Sequence, residues 1–187
     1  DLLHPCQGLT DYFTAWEKFG GKLKGRKIAY IGDGNNMAHS LMYGASKVGM
    51  DIYVATPAGY APNAEVTAKA KADADAAGTK VVVTNSIDEA AKNADIVETD
   101  VWASMGQEEE AQKRQRDFAG WQIDTRVMGL AKKEAIFMHC LPAHRGEEVA
   151  AEVADSKQSV IFDEAENRLH VQKAVMYLLM KDRRRGA

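Results

Sequence analysis

The sequence predicts an α/β domain with a parallel sheet covered on both faces, and two observations carry that prediction. Short apolar runs alternate with helical patterns along the chain, the order that gives parallel strands joined by crossover helices. Glycines stand where helices should stop, at Gly20-Gly21, Gly49 and Gly78. At 187 residues one sizeable core is within reach. The expected architecture is a Rossmann-like parallel sheet with helices on both faces.

An amphipathic helix is expected from about Leu9 to Phe19, with His4-Pro5-Cys6-Gln7 opening it. Lys27 to Ile31 reads as a strand that runs into Gly32-Asp33-Gly34-Asn35-Asn36. Ala38, Leu41, Met42 and Ala45 then fall on one helical face. Ile52 to Ala55 is a second strand, and an Ala-rich helix follows from about Ala64 to Ala77. Lys80 to Thr84 is a third strand. Ser86-Ile87-Asp88-Glu89 has capping-box spacing for a short helix. Asp95 to Thr99 is a fourth strand, made less apolar by Asp95 and Glu98. A charged helix is expected from about Gln107, where the i,i+4 pairs Glu109–Lys113 and Glu110–Arg114 suit a solvated face. Another should run from Asp124 to Ala131, with Asp124 as its cap, before a fifth strand at Ala135 to Met138. A helix at Glu147 to Ala154, a short strand at Val160-Ile161-Phe162 and a C-terminal helix from about Glu166 complete the expectation.

A formal net charge of −3 makes no case for nucleic acid or an anionic membrane. No apolar run approaches the ~20 residues that span a bilayer. Cys6 and Cys140, the two cysteines, are too few for a disulfide framework, and a cytoplasmic location is expected. The chain opens at Asp1-Leu2-Leu3 without a methionine, so a piece of something longer is expected. The basic end, Lys181 to Ala187, reads as a frayed, solvated helix end.

The motifs that carry chemistry lie where strands are expected to end, which is where α/β sheets bind ligands. Gly32-Asp33-Gly34 invites a dinucleotide, but Met37 stands where the third glycine would be, and Ala55-Thr56-Pro57 stands where an acidic ribose ligand is needed. A nicotinamide cofactor is not expected. Asn36 either caps the next helix or helps bind a carboxylate there. Asp100 is either a turn former or the receiver of an ammonium group. Ser104, in the Gly-containing loop after it, could hold a carboxylate, and the two together would grip an amino acid at both charged ends. In His139-Cys140-Leu141-Pro142 neighbouring strand side chains point to opposite faces, so His139 is not expected to serve Cys140 as a base. Cys140 itself reads as a buried filler or a functional thiol. Metal is not expected: there is no C-x-x-C, and His139, His144 and Cys140 do not make a familiar zinc set. Arg168 stands out as a ligand for an anion or carbonyl.

Taken in order, His4-Pro5-x-Gln7, Gly32-Asp33-Gly34-Asn35-Asn36, Asp100-x-Trp102-x-Ser104-Met105-Gly106, His139-Cys140-Leu141-Pro142 and Glu164-Ala165-Glu166-Asn167-Arg168 closely resemble the ornithine carbamoyltransferases. The resemblance implies a two-domain enzyme without metal or organic cofactor, commonly a trimer-based homo-oligomer. It converts carbamoyl phosphate and L-ornithine to L-citrulline and phosphate, in arginine biosynthesis or the urea cycle. The family's Ser-Thr-Arg-Thr motif for carbamoyl phosphate is absent, which implies that this is the ornithine-binding half and is inactive alone. On that reading residues 1–24 form an interdomain helix region and 25–165 the ornithine domain. Residues 166–187 form a helix packing back on the other domain, and Val171, Val175, Leu178 and Leu179 would be exposed without it. Carried over, Asn36, Ser104 and Met105 would hold the α-carboxylate and Asp100 the α-ammonium. Cys140 and the Leu141 carbonyl would lie beside the δ-amine, and His4, Gln7 and Arg168 would face carbamoyl phosphate. The alternatives are a stand-alone amino-acid-binding module and a carbamoyltransferase for a related amine.

Overall fold

The computed structural model describes residues 2–103 and 110–181. Among these residues five parallel strands form one sheet: β1 (Lys27–Ile31), β2 (Asp51–Ala55), β3 (Val81–Thr84), β4 (Ile96–Thr99) and β5 (Ile136–His139). They stand in the order β3-β2-β1-β4-β5. The chain steps outward from β1 to β3, then returns to the other side of β1 for β4. That reversal opens a crevice beyond the carboxyl ends of β1 and β4, the switch point where sheets of this kind bind ligands.

Eight helices accompany the strands among the described residues: α1 (Pro5–Lys18), α2 (Asn36–Val48), α3 (Ala64–Ala77), α4 (Ile87–Ala91), α5 (Ala111–Asp117), α6 (Thr125–Leu130), α7 (Ala151–Ala154) and α8 (Ile161–Lys181). Because side chains alternate across a strand, the sheet feeds two cores. Ile28, Tyr30, Ile52, Val54 and Ile96 meet α1, α2 and α3 through Ala15, Leu41, Met42 and Ala70. Ala29, Ile31, Val97 and Phe137 meet α4, α6 and α7 through Ala91, Val127 and Val153.

Three expectations change. Val160-Ile161-Phe162 is not a strand: Ser159 makes a lone bridge to Phe137, and α8 begins at Ile161, five residues before Glu166. Asp163 and Glu164 in its first turn favour the helix dipole there. The helix at Glu147 to Ala154 is cut to Ala151–Ala154. Ile123 donates its N–H to the Glu148 carbonyl at 2.9 Å, and Ala150 donates to the Ile123 carbonyl at 2.9 Å, so extended pairing takes the backbone that a helix would need. Arg114 does not lie on a solvated face. It is buried, donates to Asp33 Oδ2 at 2.6 Å and to the Trp102 carbonyl at 2.8 Å, and its Nε lies 3.5 Å from Glu110. Glu109 lies outside the described residues.

The polar residues of β4 now have places. Asp95 sits at the strand's base, bonded by Arg26 at 2.7 Å, the Lys27 N–H at 2.9 Å and Lys132 at 2.8 Å. Burial pushes its carboxyl up, but Lys132, the Lys27 N–H and Arg26 more than offset this and hold it below the usual aspartate range. Glu98 is buried near the carboxyl end, in register with Tyr30.

Candidate active site

Residues after β1, β4 and β5 converge at the switch point. Asp100 follows β4 directly and is buried. Its Oδ2 accepts from Asn35 Nδ2 at 2.8 Å, and its Oδ1 accepts from the Val101 N–H at 2.8 Å and the Cys140 thiol at 3.2 Å. A carboxylate offers about four acceptor positions, so these three donors hold its orientation and leave room for one more. Burial first, and then the Asp100 carboxylate, push the Cys140 thiol well above its usual range. Cys140 is therefore a neutral S–H donor aimed at Asp100.

The structure assigns helix capping to Asn35 rather than Asn36. Asn35 Oδ1 accepts from the N–H groups of Met37 at 2.9 Å and Ala38 at 3.3 Å and from the Tyr30 hydroxyl at 3.2 Å, while Nδ2 reaches Asp100. One side chain thus satisfies the start of α2 and locks it to the end of β4. Asn36 is the first residue of α2 and half-buried. Gly34 is required by close approach, since a Cβ there would lie 2.3 Å from the Pro62 nitrogen and 2.5 Å from the Tyr60 carbonyl oxygen. Arg114 joins the loops after β1 and β4 through Asp33 and Trp102.

At the end of β5 the two neighbours of the His-Cys pair part, as alternation requires. His139 is wholly buried. Its Nδ1 accepts the Leu141 N–H at 2.9 Å, so the proton is on Nε2, which donates to Glu148 Oε1 at 3.1 Å. Leu141 has φ +56°, a left-handed conformation costly for a side chain of this kind, and the bond from its N–H to His139 holds it there. The Leu141–Pro142 bond is cis.

His4, Gln7 and Arg168 form the rim. Gln7 is buried and its amide is spent within the protein: Nε2 donates to Asp11 at 2.7 Å and Glu164 at 2.9 Å, and Oε1 accepts from Arg168 Nη1. The His4 N–H donates to Ser40 Oγ at 2.7 Å. Its imidazole is lowered by burial and then by the nearby Arg168 charge, with Asp100 opposing, so it is a neutral ring beside a guanidinium. Ser104 and Met105 lie outside the described residues.

Behind this rim Asp11, Glu98 and Glu164 are buried together. Burial pushes Asp11 up to about 7. Burial, followed by the neighbouring carboxylates, raises Glu98 and Glu164 well above the usual glutamate range. Sequence reading found neither this cluster nor Asn35, Tyr30 and Arg114 as parts of the site. Asn35 and Glu164 stand within the quoted motifs, but Tyr30, Asp11, Glu98 and Arg114 carried no local signal. A separate pocket of about 400 Å³, lined by Thr125, Met128, Lys132, Lys133 and Glu152, contains none of these residues.

Residues 24–179 match the family profile described as "Aspartate/ornithine carbamoyltransferase, Asp/Orn binding domain". The chain belongs to this family. It is 57% identical over 182 residues to the ornithine carbamoyltransferase of Oceanobacillus iheyensis, covering 97% of this chain and 56% of that protein. It is 58% identical over 180 residues to the ornithine carbamoyltransferase of Symbiobacterium thermophilum, covering 96% of this chain and 58% of that one. Among solved structures, the ornithine carbamoyltransferase of Pyrococcus furiosus superimposes with a TM-score of 0.90 at 52% identity, over 95% of this chain and 56% of its own. The anabolic enzyme of Campylobacter jejuni gives 0.90 at 39% identity, over 97% and 60%. The chain thus spans a little over half the length of the relatives it matches, and that half includes the Asp/Orn-binding domain of the family.

Proposed function

We propose that this chain is the ornithine-binding half of an ornithine carbamoyltransferase, with carbamoyl phosphate held mainly by the other half of the enzyme. The observation that carries this is the Asp100 carboxylate, oriented by Asn35 and Cys140 at the switch point of the sheet. It meets an α-ammonium there, while Asn36, with Ser104 and Met105, takes the α-carboxylate. The family match and the names of the relatives support ornithine as the amino acid. Residues 1–24 then bridge toward the other domain, 25–165 form the ornithine domain, and 166–187 pack back across the boundary. The whole enzyme is a trimer-based homo-oligomer working in the cytoplasm. Among the described residues no helix is long and apolar enough to cross a membrane.

The reaction is attack by the neutral δ-amine of ornithine on the carbamoyl carbon. The new C–N bond gives a tetrahedral intermediate. Its collapse breaks the bond to the phosphate oxygen, and the amine loses its proton to solvent. The Leu141 carbonyl accepts from the δ-amine, and the neutral thiol of Cys140 polarises the pocket without forming a bond to carbon. His4 and Arg168 donate to the developing oxyanion, where one donor is typically worth ~10²–10³ in rate. Gln7, engaged with Arg168, positions that guanidinium. Because ornithine's δ-ammonium must first deprotonate, turnover by the whole enzyme rises toward alkaline pH.

The test is calorimetric titration of the 187-residue chain with L-ornithine, repeated with Asp100→Ala. Binding by the parent that the variant loses supports the assignment. Equal binding by both overturns it. Citrulline formation by the isolated chain would overturn the division of substrates between two halves.

A further inference from the structure

We propose that His144, Glu147 and Glu148 form a binding site for a divalent cation of the borderline class, such as Zn²⁺. Glu148 is wholly buried. Its Oε1 accepts from His139 Nε2 at 3.1 Å and from the His144 N–H at 2.5 Å, yet its Oε2, equally buried, has no hydrogen-bond partner among the described residues. A buried carboxylate oxygen without a donor or a cation is costly. His144 Nδ1 lies 3.9 Å from it, too long for a hydrogen bond.

The surroundings supply the rest of a ligand set. Glu147 Oε2 lies 3.9 Å from the same His144 Nδ1. One donor atom from each of the three residues falls within 4.8 Å of the others. Tetrahedral zinc, with bonds of 2.0–2.2 Å, needs its ligands roughly 3.4 Å apart, so small rotations would close the set. The two side chains that must rotate are free to do so, His144 being 54% exposed and Glu147 41%. The ion would enter from solvent past them and end on the buried oxygen. A single imidazole with two carboxylates suits a borderline metal, and their negative charge favours a divalent one.

The neighbouring charged groups do not already fill this role. Arg145 turns away to pair with Asp155 at 2.7 Å. His139 is committed to Leu141 and Glu148. Gln115 donates to Glu147 Oε1 at 3.3 Å, leaving Oε2 for the metal. Cys140, His139 and His144 make no familiar zinc set in the sequence, and the two glutamates lie outside that trio. Since Glu148 also holds His139, and His139 holds the left-handed Leu141, an ion here would stiffen the loop after β5. The inference is independent of the proposed reaction.

Both exposed ligands can be changed without touching the core. Calorimetric titration with zinc chloride is made on the full 187-residue chain carrying Cys6→Ser and Cys140→Ser, so that no thiol can take the metal. It is repeated with His144→Ala and with Glu147→Gln added. One-site binding is expected in the thiol-free chain, weakened in each variant beyond the ~10–100-fold typical for losing an outer-shell partner. Zinc should also raise the melting temperature of the thiol-free chain and of neither variant. No binding without the cysteines, or full affinity retained by either variant, overturns the site.

Discussion

Cys140 and Asp100 show how context decides the chemistry of a side chain. A thiol next to a histidine invites a reactive-cysteine reading, but His139 points away to Glu148, and Cys140 faces a carboxylate instead of a cation. Burial and that carboxylate both disfavour the thiolate. Alkylation of Cys140 by iodoacetamide, followed by mass spectrometry, should therefore remain slow at neutral pH and rise with a midpoint above the ordinary 9.0. A midpoint near 7 would mean that the thiol is activated. The positions of Asp100 and Cys140 just after strands were legible in the sequence. Their hydrogen bond joins residues 40 positions apart, and no local pattern announces it.

Asn35 decides how an element is joined to the site. Its amide caps α2 and holds Asp100 at once, so Asn35→Ala should cost about 1 kcal/mol of stability through the lost cap. The same change should weaken ornithine binding, as calorimetry would show, whereas Asn35→Asp keeps the cap but sets two carboxylates against each other. An Asn35→Ala chain that melts and binds like the parent would remove this residue from the account. Gly34→Ala should destabilise by about 1–3 kcal/mol in urea unfolding, because the group it would strike is backbone and cannot rotate away. The start of α2 was legible from Gly-Asp-Gly-Asn-Asn after an apolar run. Which asparagine caps was not, because both are cap formers and one residue of register separates them. The strand expected at residues 160–162, where α8 begins instead, has a similar cause, since Val-Ile-Phe suits a strand and a helix start equally well.

Stability of the whole molecule should peak in mildly acidic solution. Asp95 is held below its usual value of 3.8, so its contribution is present above that pH and lost as pH falls through the depressed value. Asp11 is raised to about 7 from 3.8. Its contribution has the opposite sign, present below pH 3.8 and lost as pH rises through about 7. Glu98 and Glu164 shift in the same direction as Asp11. Thermal melts should thus fall on both sides of an optimum between these windows. Glu98→Met should flatten the alkaline side and stabilise the chain there by about 1–4 kcal/mol, as replacement of buried ionic groups often does. Unchanged pH dependence in that variant would show that Glu98 does not belong to the titrating cluster. At the same scale, α8 presents Tyr177, Leu178 and Leu179 at 68%, 56% and 70% exposure, whereas Val171 and Val175 are partly covered. A patch of this kind promotes association, so sedimentation of the 187-residue chain should show concentration-dependent self-association that Leu178→Ser with Leu179→Ser reduces.

The sequence by itself determined the alternation of strands and helices, the glycine stops and the order of the site motifs. Those follow from apolar periodicity and from residues whose backbone preferences are local. Strand order was a matter for the tertiary structure, because the return of β4 to the far side of β1 places Asp100 opposite Asn35, and periodicity carries no information about neighbours. Tertiary structure also decided the fate of Arg114, which reads as part of a solvated face, and of Glu98 and Glu148, whose burial no local pattern marks; all three are buried. A charged residue goes inside when distant groups or a neighbouring crevice receive it, and those partners meet only when the chain has folded.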